Sequence, residues 1–221
     1  MTDVLSHDAA TVRSALEAVL PPEPEAWPGG YPDDVELALI DAVLSVRTHY
    51  GQPHNGVRGR TAKWRDHRAG SANDLAALAG DPDLAAVLDT TQKLGGGKVL
   101  KTDAIREAAR RLSEAGLRTA ADVVGQPAMA RSAYTSVRGL GGVTFAYFMM
   151  LAGAEGVKAD TWVLRFLEQA LERPVGPTEG EELLRAAAEQ LGHSPKQIDH
   201  LVRAMDALWS HCALNRAELS A

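Results

Sequence analysis

Apolar positions recur along this chain at helical spacing. Leu37, Ile40, Val43 and Leu44 form one such set, Leu183, Leu184 and Leu191 a second, and Ile198, Leu201, Met205 and Leu208 a third. A repeat of three to four residues predicts amphipathic helices. Start signals punctuate the same stretches. Asp81-Pro82 places a capping residue before a proline, and Pro127 opens a helix in the same way. Thr178 with Glu181, and Ser194 with Gln197, have capping-box spacing, with Pro195 at the first helical position. Alternating runs of β-branched and aromatic residues, the mark of strands, never exceed a few positions. The pattern predicts helices over 8–20, 33–50, 73–79, 82–90, 98–115, 119–125, 127–137, 142–154, 160–172, 179–191 and 195–213, and therefore an all-α fold. Two longer loops are expected: 21–32, rich in proline and glycine, and the basic segment 51–70. Connections of that length are often functional or mobile.

Composition narrows the classes. With 45% hydrophobic residues among 221, the chain can bury one substantial core or two small ones. No apolar run approaches the roughly 18 residues of a membrane helix. No apolar stretch follows a basic patch near Asp3, His7 and Asp8, so no secretory signal is expected. Cys212 is the only cysteine, which excludes an internal disulfide framework and a cysteine-ligated metal or iron–sulfur cluster. These features together point to the cytoplasm, at the nucleoid in a prokaryote. The net charge of −6 argues mildly against nucleic acid as a partner. The charge is polarised, however. Between Arg47 and Gly70 lie six cations (Arg47, Arg58, Arg60, Lys63, Arg65, Arg68) and one acid, Asp66. A local basic surface matters more than the sum, although an ordinary solvated loop has the same composition.

The most informative stretch is Ser136-Val137-Arg138-Gly139-Leu140-Gly141-Gly142-Val143-Thr144-Phe145-Ala146. A helix ends near Val137, a glycine turn follows, and an apolar helix begins at once. Gly139 and Gly141 permit positive φ, and Leu140 between them can tuck inward. The unpaired N–H groups of the turn and of the next helix's first residues then face outward as an anion site, for which a DNA phosphate is one natural occupant. About 20 residues later, Lys158-Ala159-Asp160-Thr161-Trp162-Val163-Leu164-Arg165 opens another helix. An Asp-Thr there is ordinarily a helix cap.

That passage resembles the helix-hairpin-helix/Gly-Pro-Asp superfamily of DNA glycosylases, the endonuclease III-like group. Gly139, Leu140 and Gly141 match its hairpin core, and Asp160 and Thr161 match its catalytic-aspartate turn. Upstream, Leu39-Ile40-Asp41-Ala42-Val43-Leu44-Ser45-Val46-Arg47-Thr48 is similar to an early helix that ends in a residue inserted into the DNA stack. The resemblance spans about 33–213. It implies two helical lobes with a DNA-binding cleft between them: 33–154, ending in the helix-hairpin-helix over 127–154, and 1–32 plus 155–221. Asp160 would be the catalytic carboxylate. Arg47, Arg138, Gly139, Leu140, Gly141, Gly142 and Thr144 would contact double-stranded DNA, and Asp41, Tyr50 and Trp162 could shape the base pocket. A monomer with no cofactor and no membrane partner is expected.

Several positions depart from the family pattern. Arg138 replaces the hairpin proline and adds a cation beside the phosphate site. Val143 stands where bifunctional members carry a lysine, so no Schiff base can form there and base removal without strand cleavage is implied. The C-terminal cysteine cluster is missing. Trp162 often has a histidine counterpart and is read here chiefly as packing. Asp41 reads as a base-protonating acid or as a satisfied core or surface carboxylate. Arg47 reads as a stack plug or as a surface cation at a helix C-terminus. Trp64 could stack in the pocket. Gly95-Gly96-Gly97-Lys98 lacks P-loop spacing and is a flexible backbone-contacting turn or a plain helix-start loop. His49, His54 and His67 lack helical metal-ligand spacing, so no catalytic metal is expected. Two other readings stand beside the enzyme: a DNA-binding module without catalysis, and a helical protein-interaction domain.

Overall fold

The computed structural model describes residues 2–20, 29–48, 54–94 and 96–202. It is mostly helical, as the apolar spacing predicts, with one two-stranded hairpin. The chain divides into two units, one of residues 29–154 and one of 1–28 with 155–221.

In the 29–154 unit, helix α2 (Val35–Leu44) is central, and all ten of its residues are buried. It packs against α3 (Gly56–Arg68), α6 (Lys101–Glu114) and α9 (Gly142–Leu151). Helices α4 (Leu75–Gly80), α5 (Leu84–Leu88), α7 (Ala120–Gly125) and α8 (Pro127–Thr135) complete the unit. Short strands β1 (Lys93–Leu94) and β2 (Val99–Leu100) pair antiparallel before α6, with Lys93 opposite Leu100. The local signals are specific. Asp74 caps α4 by accepting from the Ala76 and Ala77 N–H groups at 2.9 and 3.4 Å. Thr119 and Asp122 form a capping box on α7, and Pro127 occupies the first turn of α8.

Burying α2 on every side also buries Glu36. Its carboxylate accepts from Trp64 Nε1 at 2.8 Å and from the Asp74 N–H at 3.2 Å, and pairs with Arg68 at 3.0 Å. The packing is tight where the chain enters the unit. Tyr31 N–H donates to Leu151 O at 2.6 Å. A methyl group at Gly30 would stand 2.8 Å from Leu151 Cα. Gly30→Ala is expected to destabilise the protein by about 1–3 kcal/mol, because backbone cannot yield as a flexible side chain does. Urea denaturation checks this through the midpoint at unchanged slope.

The other unit packs α1 (Thr2–Val19), α10 (Thr161–Leu171), α11 (Pro177–Leu191) and a helical run over 195–202 around Val12, Leu16, Val163, Leu167, Leu183, Leu184 and Ile198. Arg173 ties it at the surface, pairing with Asp8 at 2.5 Å and Glu179 at 2.7 Å.

Four expectations need correction. The segment 51–70 is not a loop throughout, since 56–68 is helix α3. Val57, Thr61 and Trp64 form its buried face at i, i+4 and i+7, a period masked by the cations between them. The helix expected over 33–50 ends at Leu44, and Arg47 lies beyond it with φ +51°. The helix expected from 98 begins at Lys101, because Val99 and Leu100 pair with β1. The box expected at Thr178–Glu181 is absent, since Gly176 caps α11 with Pro177 in the first turn, and Glu179 turns to Arg173. No helix among the described residues is long and apolar enough to cross a membrane.

Candidate functional site

Helices α8 and α9 are joined by a six-residue turn over 136–141. Gly139 sits at φ +91°, where a Cβ would be strained. Leu140 is turned inward at 6% exposure, and its N–H donates to Val137 O at 3.1 Å. Arg138 is exposed. Gly141 is the extended residue that starts α9, and its N–H donates to Thr144 Oγ1 at 3.1 Å. The first backbone bond inside α9 runs from Phe145 N–H to Gly141 O at 2.9 Å. The N–H groups of Gly142, Val143 and Thr144 therefore precede the helical ladder and lie at the positive end of the helix. Helix α9 itself carries no charged side chain.

A second cation stands here that the sequence did not single out. Arg131 projects from α8 so closely that a methyl on Gly142 would lie 3.0 Å from its Nη2. Its guanidinium also lies 5.8 Å from the centre of the Phe145 ring. Eleven residues separate Arg131 from Gly142, so only closure of the helix pair brings them together.

Arg47 is the exposed residue of the turn after α2. Its positive φ is uncommon for a residue with a Cβ. The turn is held from behind by Lys101, which is 2% exposed and whose Nζ donates to Leu44 O, Val46 O and Thr48 Oγ1, each at 2.7 Å, and to Gln92 Oε1 at 2.9 Å. Asp41, one turn earlier, is fully buried. It accepts from Tyr31 OH at 3.1 Å, Ser45 Oγ at 2.9 Å and Tyr147 OH at 3.3 Å. Tyr50 lies outside the described residues.

Asp160 belongs to the other unit. It caps α10, with Oδ1 accepting from the Trp162 N–H at 3.0 Å and the Val163 N–H at 3.5 Å. Its side chain is 20% exposed, and Oδ2 lies 3.9 Å from Lys158 Nζ. The approach to Asp160 is anchored by a residue that sequence reasoning missed. Buried Asp199 accepts from the Lys158 N–H at 2.9 Å, and Lys158 O in turn accepts from the Asp160 N–H at 2.6 Å. Trp162 is not core packing, as had been expected: it is 37% exposed, and the Arg165 guanidinium lies 5.5 Å from its ring centre. Exposure follows from its place in the first turn, rotated away from the face that buries Val163 and Leu167.

The basic segment divides by role. Arg60 donates to Leu88 O at 3.0 Å, Arg68 pairs with Glu36, and Arg65 lies 3.7 Å from Asp34, whereas Arg58 and Lys63 are exposed on α3. Trp64 is a core residue bonded to Glu36 and not a stacking platform. Gly96 and Gly97, at φ +71° and +89°, turn the β1–β2 hairpin, and Lys98 is exposed beside them. His49 lies outside the described residues, and His54 is exposed. His67, Asp81 and Asp83 offer ligand atoms within 4.8 Å of one another at the surface, the one such group among the described residues.

The fold and these features define a mostly helical protein of two units, with a glycine-turned helix pair in one and an aspartate-capped helix in the other. The chain belongs to the family described as a domain of unknown function (DUF8548), matched over residues 10–210. A shorter stretch of 53 residues is similar to 5-aminolevulinate synthases. It is 51% identical in the proteins of Paracoccus denitrificans and Cereibacter sphaeroides, and 53% in that of Rhodobacter capsulatus. The match covers 24% of this chain and 12% of each synthase, so the chain spans about an eighth of the length of the curated relatives it matches. No solved structure matches significantly.

Proposed function

We propose that this protein is a monofunctional DNA glycosylase of the helix-hairpin-helix class, hydrolysing the N-glycosidic bond of a damaged, mismatched or modified base in duplex DNA. The observation that carries the reading is the α8–α9 turn. It combines Gly139 at positive φ, an inward Leu140, the open first-turn N–H groups of α9, and two cations, Arg131 and Arg138. These groups suit a backbone phosphate, which positions a duplex without reading its sequence.

Asp160 supplies the chemistry in this reading. Loss of the base builds positive charge on the sugar, and a fixed carboxylate stabilises that charge and orients the attacking water. Capping holds the carboxylate by Oδ1 and leaves Oδ2 toward Lys158. The target base must leave the stack to be reached, and Arg47, exposed at a turn tip, fills the vacated space. Val143 offers no amine at the lyase position, so the product is an abasic site in an uncut strand.

A second reading, a DNA-binding module without catalysis, is favoured by the cap itself, since Asp160 already has a structural task. Base release by wild type separates the two. The phosphate contact has its own test. The logarithm of duplex affinity should fall linearly with the logarithm of salt, and Arg131→Ala with Arg138→Ala should lower the slope by about 1–2. A slope unchanged by both substitutions, measured by fluorescence anisotropy, would place the duplex elsewhere on the protein.

A further inference from the structure

Lys101 is the most unusual buried group in the 29–154 unit. It is a cation at 2% exposure, and the four partners of its ammonium are two backbone carbonyls, a hydroxyl and an amide oxygen. An ammonium has three protons, so two of the four oxygens share one. These oxygens come from two separate places in the chain. Leu44 O, Val46 O and Thr48 Oγ1 belong to the end of α2 and the turn beyond it. Gln92 Oε1 belongs to the approach to β1. Thr48 Oγ1 also donates to Gln92 Oε1 at 2.8 Å, and the Lys101 N–H donates to Gln92 O at 2.9 Å. Two of these contacts, to Val46 O and Thr48 Oγ1, flank the exposed residue Arg47.

The physical need is visible in the backbone. A helix leaves its last carbonyls without helical partners, and its C-terminus is the negative end of the dipole. A buried cation satisfies both. Arg47, three residues past the end of α2, holds a left-handed conformation that persists only where its surroundings over-determine it. Lys101 binds the carbonyl immediately before Arg47 and the hydroxyl immediately after it.

We propose that Lys101 is a positioning residue that locks the Arg47 turn to the β1–β2 hairpin, so that Arg47 is presented to the duplex already in its inserting conformation. The proposal rests on the glycosylase reading for what Arg47 enters, but the lock itself belongs to the protein alone. A rigid presenter loses less entropy when it binds than a free loop. Four convergent oxygens fit a compact ammonium and not a planar guanidinium, so arginine is not an adequate replacement.

The test has a protein arm and a DNA arm. In amide exchange by mass spectrometry, Lys101→Met should accelerate exchange in 44–48 and in 92–94 together, by about tenfold or more, the cost of losing charge-assisted hydrogen bonds. Because a buried lysine variant can fold poorly, Gln92→Ala, exposed and milder, is measured alongside and should loosen the same two segments to a smaller degree. In the DNA arm, affinity is compared for an intact duplex and one carrying a tetrahydrofuran abasic site. Arg47→Ala should erase the preference for the abasic duplex. Lys101→Met should lower it by a similar factor, and the double variant should lose nothing further, because both act through one contact. Exchange that rises in one segment only, or losses that multiply in the double variant, would overturn the lock. If wild type binds neither duplex, the glycosylase reading falls, and the exchange arm alone decides the lock.

Discussion

Asp160→Asn is expected to lower the rate of base release on the order of 10²–10³-fold while leaving the fold intact. The magnitude is that of removing one fixed electrostatic contact to charge that develops in the transition state. The substitution separates the two tasks of Asp160. Asparagine retains the oxygen that accepts from the Trp162 and Val163 N–H groups, and it caps helices as well as aspartate does. What it removes is the negative charge on the side that faces Lys158. Asp160→Ala removes both, and should add about 1 kcal/mol of destabilisation to the same catalytic loss. If alanine and asparagine differ in melting midpoint but both retain full base release, Asp160 is a cap alone.

The largest expected effect on stability lies at Glu36. Glu36→Ala should cost about 3–5 kcal/mol, because it strands the partners that a buried carboxylate had satisfied. Those partners are Trp64 Nε1, the Asp74 N–H and the Arg68 guanidinium. Two of them stand on α3 and one at the start of α4, so the loss falls on the packing of both against α2. Burial pushes the Glu36 carboxyl above its ordinary value of 4.5, against the opposing pull of Trp64 and Arg68. The sign of the pH dependence follows. A carboxyl whose folded pKa is raised contributes stability that is fully present below its unfolded value and lost as pH rises through the folded value. Wild type should therefore gain on Glu36→Gln as pH falls from 7 toward 4.5. Chemical denaturation of both proteins across that window measures it, and a wild type that loses stability relative to Glu36→Gln on acidification would contradict the burial argument.

The sequence revealed helices where apolar spacing was clean and lost them where function-like composition covered the period. Leu37, Ile40, Val43 and Leu44 announced α2 because they recur at helical spacing, although the buried Glu36 shares their face. Helix α3 was missed because its buried residues, Val57, Thr61 and Trp64, stand among five cations. The β1–β2 hairpin was missed because each strand contributes only two paired residues, too few for alternation to register. At the candidate site, Gly139, Leu140 and Gly141 were legible because a tight turn demands those residue types locally. Arg131, Asp199 and Lys101 were not. Arg131 meets Gly142 only when α8 folds back on α9. Asp199 reaches Lys158 across 41 residues, and Lys101 reaches Leu44 across 57. Each looked like an ordinary charged residue on a helix surface. What buries Lys101 is the demand of α2's final carbonyls, which no pattern within α6 records.

Wild type and Asp160→Asn are incubated with a panel of duplex oligonucleotides bearing alkylated, deaminated, oxidised and mismatched bases, and strand breaks are scored with and without hot alkali. Wild type should cleave at least one substrate in an alkali-dependent way that is lost in Asp160→Asn, with no cleavage without alkali, since Val143 supplies no nucleophile. Cleavage without alkali would contradict the monofunctional mechanism. No cleavage of any substrate, with salt-sensitive duplex binding intact, would contradict the enzyme and leave the DNA-binding module.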